Sequence, residues 1–231
     1  SPRQIGALTT WSKVSCGAFH TLSIKTDGTL WSWGMNSNGQ LGLGTSGAGT
    51  YVSSPNQIGA LTTWLDVAGG YKYSLASKTD GTLWAWGVGN VGQLGFGNTN
   101  SYSSPKQIGA LTTWQNFSAS TFNTLATRTD GTLWAWGQGA YGTLGNNQST
   151  YSYSSPLQIG ALTNWSQVAS AVNSSFAIKT NGTLWAWGRN NQGILGLGTT
   201  TDYSSPKQVG SLTTWSLMPK MATANFALVM Q

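Results

Sequence analysis

Short runs of alternating apolar and polar residues recur along this chain, separated by glycine-rich connections. His20-Thr21-Leu22-Ser23-Ile24-Lys25 has the period of two that marks a β-strand with one buried face. After Asp27-Gly28 the alternation resumes as Thr29-Leu30-Trp31-Ser32-Trp33. Asp-Gly between two such runs predicts a hairpin closed by a two-residue type I′ turn. The signal returns as Asp80-Gly81, Asp130-Gly131 and Asn181-Gly182. Before the hairpin, Trp11-Ser12-Lys13-Val14 begins a strand that ends near Cys16-Gly17. After it, a connection carries Gly39-Gln40-Leu41-Gly42, and Ser54-Pro55-Asn56-Gln57-Ile58-Gly59 predicts a fourth strand. Its leading proline suits an outer edge. One unit is therefore expected to form a four-stranded antiparallel sheet.

The unit repeats over about 11–59, 64–109, 114–160 and 165–210, with a partial unit at 215–231. Pro2, Pro55, Pro105, Pro156 and Pro206 give steps of 53, 50, 51 and 50 residues. A period near 50 with strand content denotes a propeller or related array. The expected fold is all-β: one domain over 1–231, a β-propeller of four-stranded antiparallel blades. Four blades would be complete, and a partial fifth would be closed by the N-terminal strand at 1–6. All thirteen tryptophans fall on the lattice. In each third strand two tryptophans point one way while Leu and Ser or Ala point the other. Trp31, Trp33, Trp84, Trp86, Trp134, Trp136, Trp185 and Trp187 are thus expected to pack between blades. No fifth tryptophan pair exists, so the last blade lacks its third strand. The ring could be five-bladed with a defective blade, could borrow a strand from upstream sequence or another molecule, or could be part of a larger ring. Five blades is the reading carried forward.

Composition narrows the setting. Charged residues make up 7% of the chain and glutamate is absent, so Gly, Ser, Thr and Asn supply the polarity. That balance points to an extracellular or virion-associated protein, with a cytoplasmic one left open. The net charge of +6 is dispersed, without a Lys/Arg run, which argues against nucleic acid as a partner. Cys16 is the only cysteine, so no internal disulfide can form. No apolar run approaches the roughly 20 residues of a membrane span. Ser1 opens no secretory signal, and the missing initiator Met fits processing or a fragment of something longer.

The sequence Trp-x-x-Val-Ala-x-Gly, then Leu-x-x-Lys-Thr-Asp-Gly-Thr-Leu-Trp-Ala-Trp-Gly, then Gly-Gln-Leu-Gly resembles the regulator of chromosome condensation repeat family. Residues 11–42 and 64–95 match best, and the likeness covers essentially the whole chain. It implies a β-propeller, usually of seven blades. Its best-known eukaryotic member is a chromatin-bound exchange factor for a small GTPase, and no segment here matches that exchange site. The near-identity of the repeats looks like the amplified arrays of bacterial and phage proteins. The family's glycine and histidine after the first strand survive as Gly17 and His20, but become Gly70 and Tyr73, Ser120 and Asn123, and Ala171 and Ser174 in later units.

Antiparallel order places the first-to-second and third-to-fourth connections on one face. The repeats differ mostly there, and a constant frame with a varied face rich in Tyr, Asn, Ser and Gly is the composition of an adaptable recognition surface. The candidate binding residues are His20, Asn36, Asn38, Tyr71, Tyr73, Asn90, Phe122, Asn123, Tyr141, Asn173, Arg189 and Asn190. Free drift of exposed loops is the plainer alternative. On the opposite face Lys25, Lys78, Arg128 and Lys179 read as solvated turn charges. With one histidine and no glutamate, neither a metal cluster nor a catalytic triad is expected, and nothing calls for a cofactor. The expected function is a non-enzymatic protein-binding or structural module, acting through the varied face or the incomplete blade edge, on another protein or a further copy of itself. A lectin holding glycans between blades is the alternative, and a chromatin or small-GTPase partner the third.

Overall fold

A computed structural model describes residues 1, 4, 5 and 9–218. Among these, sixteen strands build four four-stranded antiparallel sheets in which neighbours follow sequence order. The first contains β1 (Trp11–Cys16), β2 (His20–Lys25), β3 (Leu30–Met35) and β4 (Tyr51–Gln57). The second contains β5 (Trp64–Gly69), β6 (Tyr73–Lys78), β7 (Leu83–Gly87) and β8 (Tyr102–Gln107). The third runs from β9 (Trp114–Ala119) and β10 (Asn123–Arg128) to β11 (Leu133–Gly137) and β12 (Tyr153–Gln158). The fourth holds β13 (Trp165–Ser170), β14 (Ser174–Lys179), β15 (Leu184–Gly188) and β16 (Tyr203–Gln208). First strands touch first strands from blade to blade, so β1, β5, β9 and β13 lie innermost and the proline-bearing strands outermost.

The hairpin differs from the expected type I′ turn. Thr26-Asp27-Gly28 is a three-residue loop: the Gly28 N–H donates to the Lys25 carbonyl at 2.9 Å and the Lys25 N–H to the Thr29 carbonyl at 3.0 Å. Only Gly28 has positive φ, at 77°. The aspartate is there for its carboxylate. Asp27 Oδ1 accepts the Thr29 N–H at 3.0 Å and the Thr29 hydroxyl at 2.7 Å. That hydroxyl in turn accepts the Trp31 indole N–H at 2.8 Å. The same relay runs through Asp80–Thr82–Trp84, Asp130–Thr132–Trp134 and Asn181–Thr183–Trp185. An acceptor with a short side chain suffices, which is why Asn181 serves as well as aspartate.

Blades join through one repeated seam. The face of the first blade offers Leu22, Ile24, Leu30 and Ile58, against Trp64, Val67, Ala76 and Trp86 of the second. The carbonyl of Gln40 accepts the Trp86 indole N–H at 2.9 Å and the Ser74 hydroxyl at 2.7 Å. Gln93 does the same for Trp136 and Thr124, and Thr143 for Trp187 and Ser175. The glycine two residues later lets the indole in: a Cβ at Gly42 would meet Trp86 Nε1 at 2.8 Å. Trp86, Trp136 and Trp187 are completely buried. Trp31, Trp84, Trp134 and Trp185, the first of each pair, are half-buried. Trp33 is half-buried too, because no preceding blade among the described residues covers the indole face of the first.

A fifth unit starts on the fourth. The Trp215 N–H donates to the Gly182 carbonyl at 3.2 Å, as those of Trp64, Trp114 and Trp165 do to Gly28, Gly81 and Gly131. Trp215 and Met218 pack on Phe176, Leu184 and Ala186. The remainder of the expected fifth blade, 219–231 with residues 2, 3 and 6, lies outside the described residues. No helix among the described residues is long and apolar enough to cross a membrane.

Two pairs of substitutions separate these roles. Trp86→Ala should cost about 3–5 kcal/mol of folding free energy, and Trp33→Ala less than half as much, in urea titrations. Thr82→Val keeps the shape but strands the Trp84 N–H and one Asp80 lone pair, and should cost about 1–3 kcal/mol. Asp80→Asn should leave the urea midpoint near that of the unsubstituted protein.

Candidate recognition face

The β1–β2, β5–β6, β9–β10 and β13–β14 connections sit together at one end of the blades, beside the longer third-to-fourth connections. Alternation decides which of their side chains reach solvent. At the start of each second strand one residue turns inward and its predecessor turns out. Phe19, Lys72 and Phe122 are such predecessors, and Tyr71, one position before Lys72, joins Phe19 and Phe122 in a continuous aromatic arc over three blades. Ring centroids are 5.5 Å apart for Phe19–Tyr71 and 6.4 Å for Tyr71–Phe122. The Lys72 ammonium stands 5.4 Å from the Tyr71 ring. Beside the arc opens a depression of about 290 Å³, lined by Asn38, Tyr71, Lys72, Asn90, Thr121 and Phe122. Four of the predicted residues meet in it.

Farther round, the Arg189 guanidinium lies 4.6 Å from the Tyr141 ring centroid. Asn173, Arg189 and Asn191 line a smaller depression of about 110 Å³. Tyr141 adopts φ 58°, left-handed backbone that a bulky side chain rarely takes. It is held there in a short 3₁₀ turn, Ala140–Gly142, with 42% of its surface exposed.

Five of the twelve predicted residues do not reach the surface: His20, Asn36, Tyr73, Asn123 and Asn190 are buried. Each has a structural partner instead. Ser74 gives its hydroxyl proton to the Gln40 carbonyl, so the His20 imidazole donates to Ser74 Oγ through Nε2, at 2.8 Å. The Tyr73 hydroxyl crosses the next seam to the Asn123 carbonyl at 2.7 Å. Asn123 bonds Ser120 within its own turn. Asn36 and Asn190 staple their loops, each donating to a carbonyl nine residues on and accepting from the N–H of Leu41 or Leu195. Buried polar groups must find such partners; His20 and Tyr73 find theirs in the next blade, and Asn36, Asn123 and Asn190 in their own loops. Phe19, which is exposed, and Lys72, which is half-exposed, were missed as site residues. The signal was present: each precedes an inward-facing side chain in an alternating strand.

The opposite face also departs from expectation. Lys25, Lys78 and Lys179 are not solvated turn charges, because each ammonium lies over an indole, 3.6–3.7 Å from the ring centroids of Trp31, Trp84 and Trp185. The Arg128 guanidinium is 5.5 Å from that of Trp134 and 3.6 Å from Asp130. Desolvation by this cover lowers the pKa of Lys78 and Lys179. Among the described residues no group of three or more His, Cys, Asp or Glu comes together that would hold a metal.

Four such sheets, bolted in sequence around an inner row of strands, define a β-propeller protein of tryptophan-rich blades. Family models of the regulator of chromosome condensation (RCC1) repeat match residues 27–77, 80–127, 130–178 and 181–218, with a second model of the repeat at 11–40 and 165–194. The chain belongs to that family. It is 30% identical over 193 residues to the Arabidopsis thaliana ultraviolet-B receptor UVR8, covering 82% of this chain and 44% of the receptor. Against the mitochondrial RCC1 domain-containing protein RUG3 of the same plant, identity is 41% over 96 residues, 41% of this chain and 21% of that one. The fold matches human WBSCR16 with a TM-score of 0.82 at 23% identity, over 96% of this chain and 57% of that one. Prp20p of Saccharomyces cerevisiae, described with its binding to Gsp1p and histones, gives 0.79 at 20% identity, over 93% and 54%. The chain thus spans little more than half of these solved structures and less than half of the curated relatives.

His20 makes the seam sensitive to pH. Burial lowers its pKa from 6.5 to about 4. The unfolded chain takes up this proton near 6.5 and the folded chain only near 4, so stability is full above 6.5 and falls as pH drops through that window. Urea midpoints should therefore decline as pH falls from 6.5 to about 4. His20→Asn, the residue found at the equivalent Asn123, should flatten that decline.

Proposed function

We propose that this chain is a non-enzymatic protein-binding module whose varied loop face engages another protein. One observation carries the reading. The Phe19–Tyr71–Phe122 arc is a contiguous, partly exposed aromatic surface on the face where the repeats differ, while the opposite face is nearly invariant. Aromatic anchors beside adaptable amides are what protein interfaces concentrate. Asn38 and Asn90 line the adjoining depression with Lys72, and the strained Tyr141 beside Arg189 extends the surface. Backbone strain of this kind, of order 1–3 kcal/mol, clusters at binding sites. A protein partner as a class agrees with what is reported for Prp20p, whose partners are Gsp1p and histones. The sparse charge supports a secreted or virion-associated setting.

The test is partner capture by the full chain with in situ cross-linking. Tyr71→Ala combined with Phe122→Ala should weaken capture at least about tenfold while thermal melting stays unchanged. Tyr141→Ala should weaken it less, and Leu111→Ala, on the other face, not at all. Equal capture by all four proteins would remove this face from consideration.

A further inference from the structure

The face opposite the aromatic arc carries three equivalent grooves, one at each described seam. The first, about 370 Å³, is walled by Ile58, Leu61, Trp64, Trp84 and Pro105, with Gln57 and Ser104 at its margins. The second, about 470 Å³, is centred on Trp114 and Trp134, and the third, about 490 Å³, on Trp165 and Trp185. All three fall within the roughly 300–1,000 Å³ of small-ligand sites. Gln107 and Ser155 stand where Gln57 and Ser104 do in the first groove, and Gln158 and Ser205 take those places in the third.

The chemistry of the lining is specific. No charged residue lines the first or third groove, and Lys106 is the only one in the second. Trp84, Trp134 and Trp185 are half-buried, with Lys78, Arg128 or Lys179 over one side of the ring and the remaining ring surface at the groove. Their indole N–H groups are engaged by Thr82, Thr132 and Thr183 at 2.8–3.0 Å. Trp64, Trp114 and Trp165 have buried N–H groups with no partner. The groove therefore displays ring surface without indole donors, flanked by a carboxamide and a hydroxyl, each of which both donates and accepts. A proline-rich peptide would seek the ring donors for its carbonyls. An ionic ligand would seek a counter-charge. A neutral pyranose needs neither: its C–H face lies on the ring and its hydroxyls exchange hydrogen bonds with amide and hydroxyl groups.

We infer that the three inter-blade grooves are equivalent subsites for neutral saccharides, so that the module binds repetitive glycans multivalently on the face away from its protein-binding loops. Each groove alone is weak. Three on one rigid frame raise apparent affinity for a glycan-coated surface by about 10²-fold or more.

Calorimetry on the full chain would use neutral trisaccharides of glucose, mannose, galactose and N-acetylglucosamine, with a sialylated trisaccharide and a polyproline peptide as comparators. A neutral trisaccharide should bind at three or more equivalent sites per chain, and a printed glycan array should show the multivalent gain. Trp84→Ala should lower the stoichiometry by one. The combined Gln57→Ala, Gln107→Ala, Gln158→Ala variant alters exposed or half-exposed amides, so it should melt normally and lose binding. Failure of every neutral saccharide, preference for the sialylated sugar or the peptide, or unaltered binding by the glutamine variant would overturn the inference. None of these outcomes bears on capture through Tyr71 and Phe122.

Discussion

One carbonyl per seam governs this molecule. Gln40, Gln93 and Thr143 each present a main-chain oxygen that accepts two hydrogen bonds from the next blade, one from an indole and one from a hydroxyl. A backbone carbonyl has two lone pairs, and here both are used between sheets that have no other covalent or ionic tie at that point. The geometry fixes several residue choices together. The donors must come from adjacent strands of one blade, so a tryptophan in the third strand faces a serine or threonine in the second. The indole must approach the loop closely, so the loop needs Gly42, Gly95 or Gly145. The apolar remainder of each indole fills the leucine-lined hollow of its neighbour, where most of the stabilisation arises.

This arrangement separates stability from recognition. The seam occupies the middle of each blade, and the hairpin end is locked by the carboxylate–threonine–indole relay. What remains unassigned is the loop end, where a side chain can change without disturbing either. Tyr71, Phe122 and Tyr141 stand on positions whose equivalents in other repeats differ, and their neighbours Tyr73, Asn123 and Gly142 keep the backbone in place. A display surface set one or two residues out from a locked position combines freedom of identity with rigidity of placement, which favours preorganised binding.

The all-β class and the grouping of strands into four-stranded antiparallel blades were legible in the sequence because period-two alternation and the 50-residue repeat are local signals. Contacts across the seam were not. His20 and Tyr73 looked like loop residues, yet a polar side chain beside a turn is buried when the next blade supplies its partner, and that partner lies 50 or more residues away. Lys25, Lys78 and Lys179 looked solvated because they flank the hairpin turn, while indoles six residues on lie beneath them. The Asp-Gly pair named the hairpin correctly but not its turn, since Asp27 acts through its carboxylate rather than through its backbone angle. Phe19 and Lys72 show the converse: each reaches solvent because it stands one position before a side chain that turns inward.

The seam is also a grammar for growth. Every blade offers the same oxygen, glycine and leucine hollow on one side and the same indole and hydroxyl on the other. A copied unit of about 50 residues would therefore find a matching neighbour wherever it was inserted, and a deleted one would leave two surfaces that still fit. Stability in such arrays approximates a sum over units and nearest-neighbour interfaces. Recombination between near-identical repeats could thus change the length of the chain in whole blades, at little cost to folding, while each new copy brought a fresh loop face to be altered. Seen this way, the sameness of the repeats is a heritable means of varying size and specificity independently.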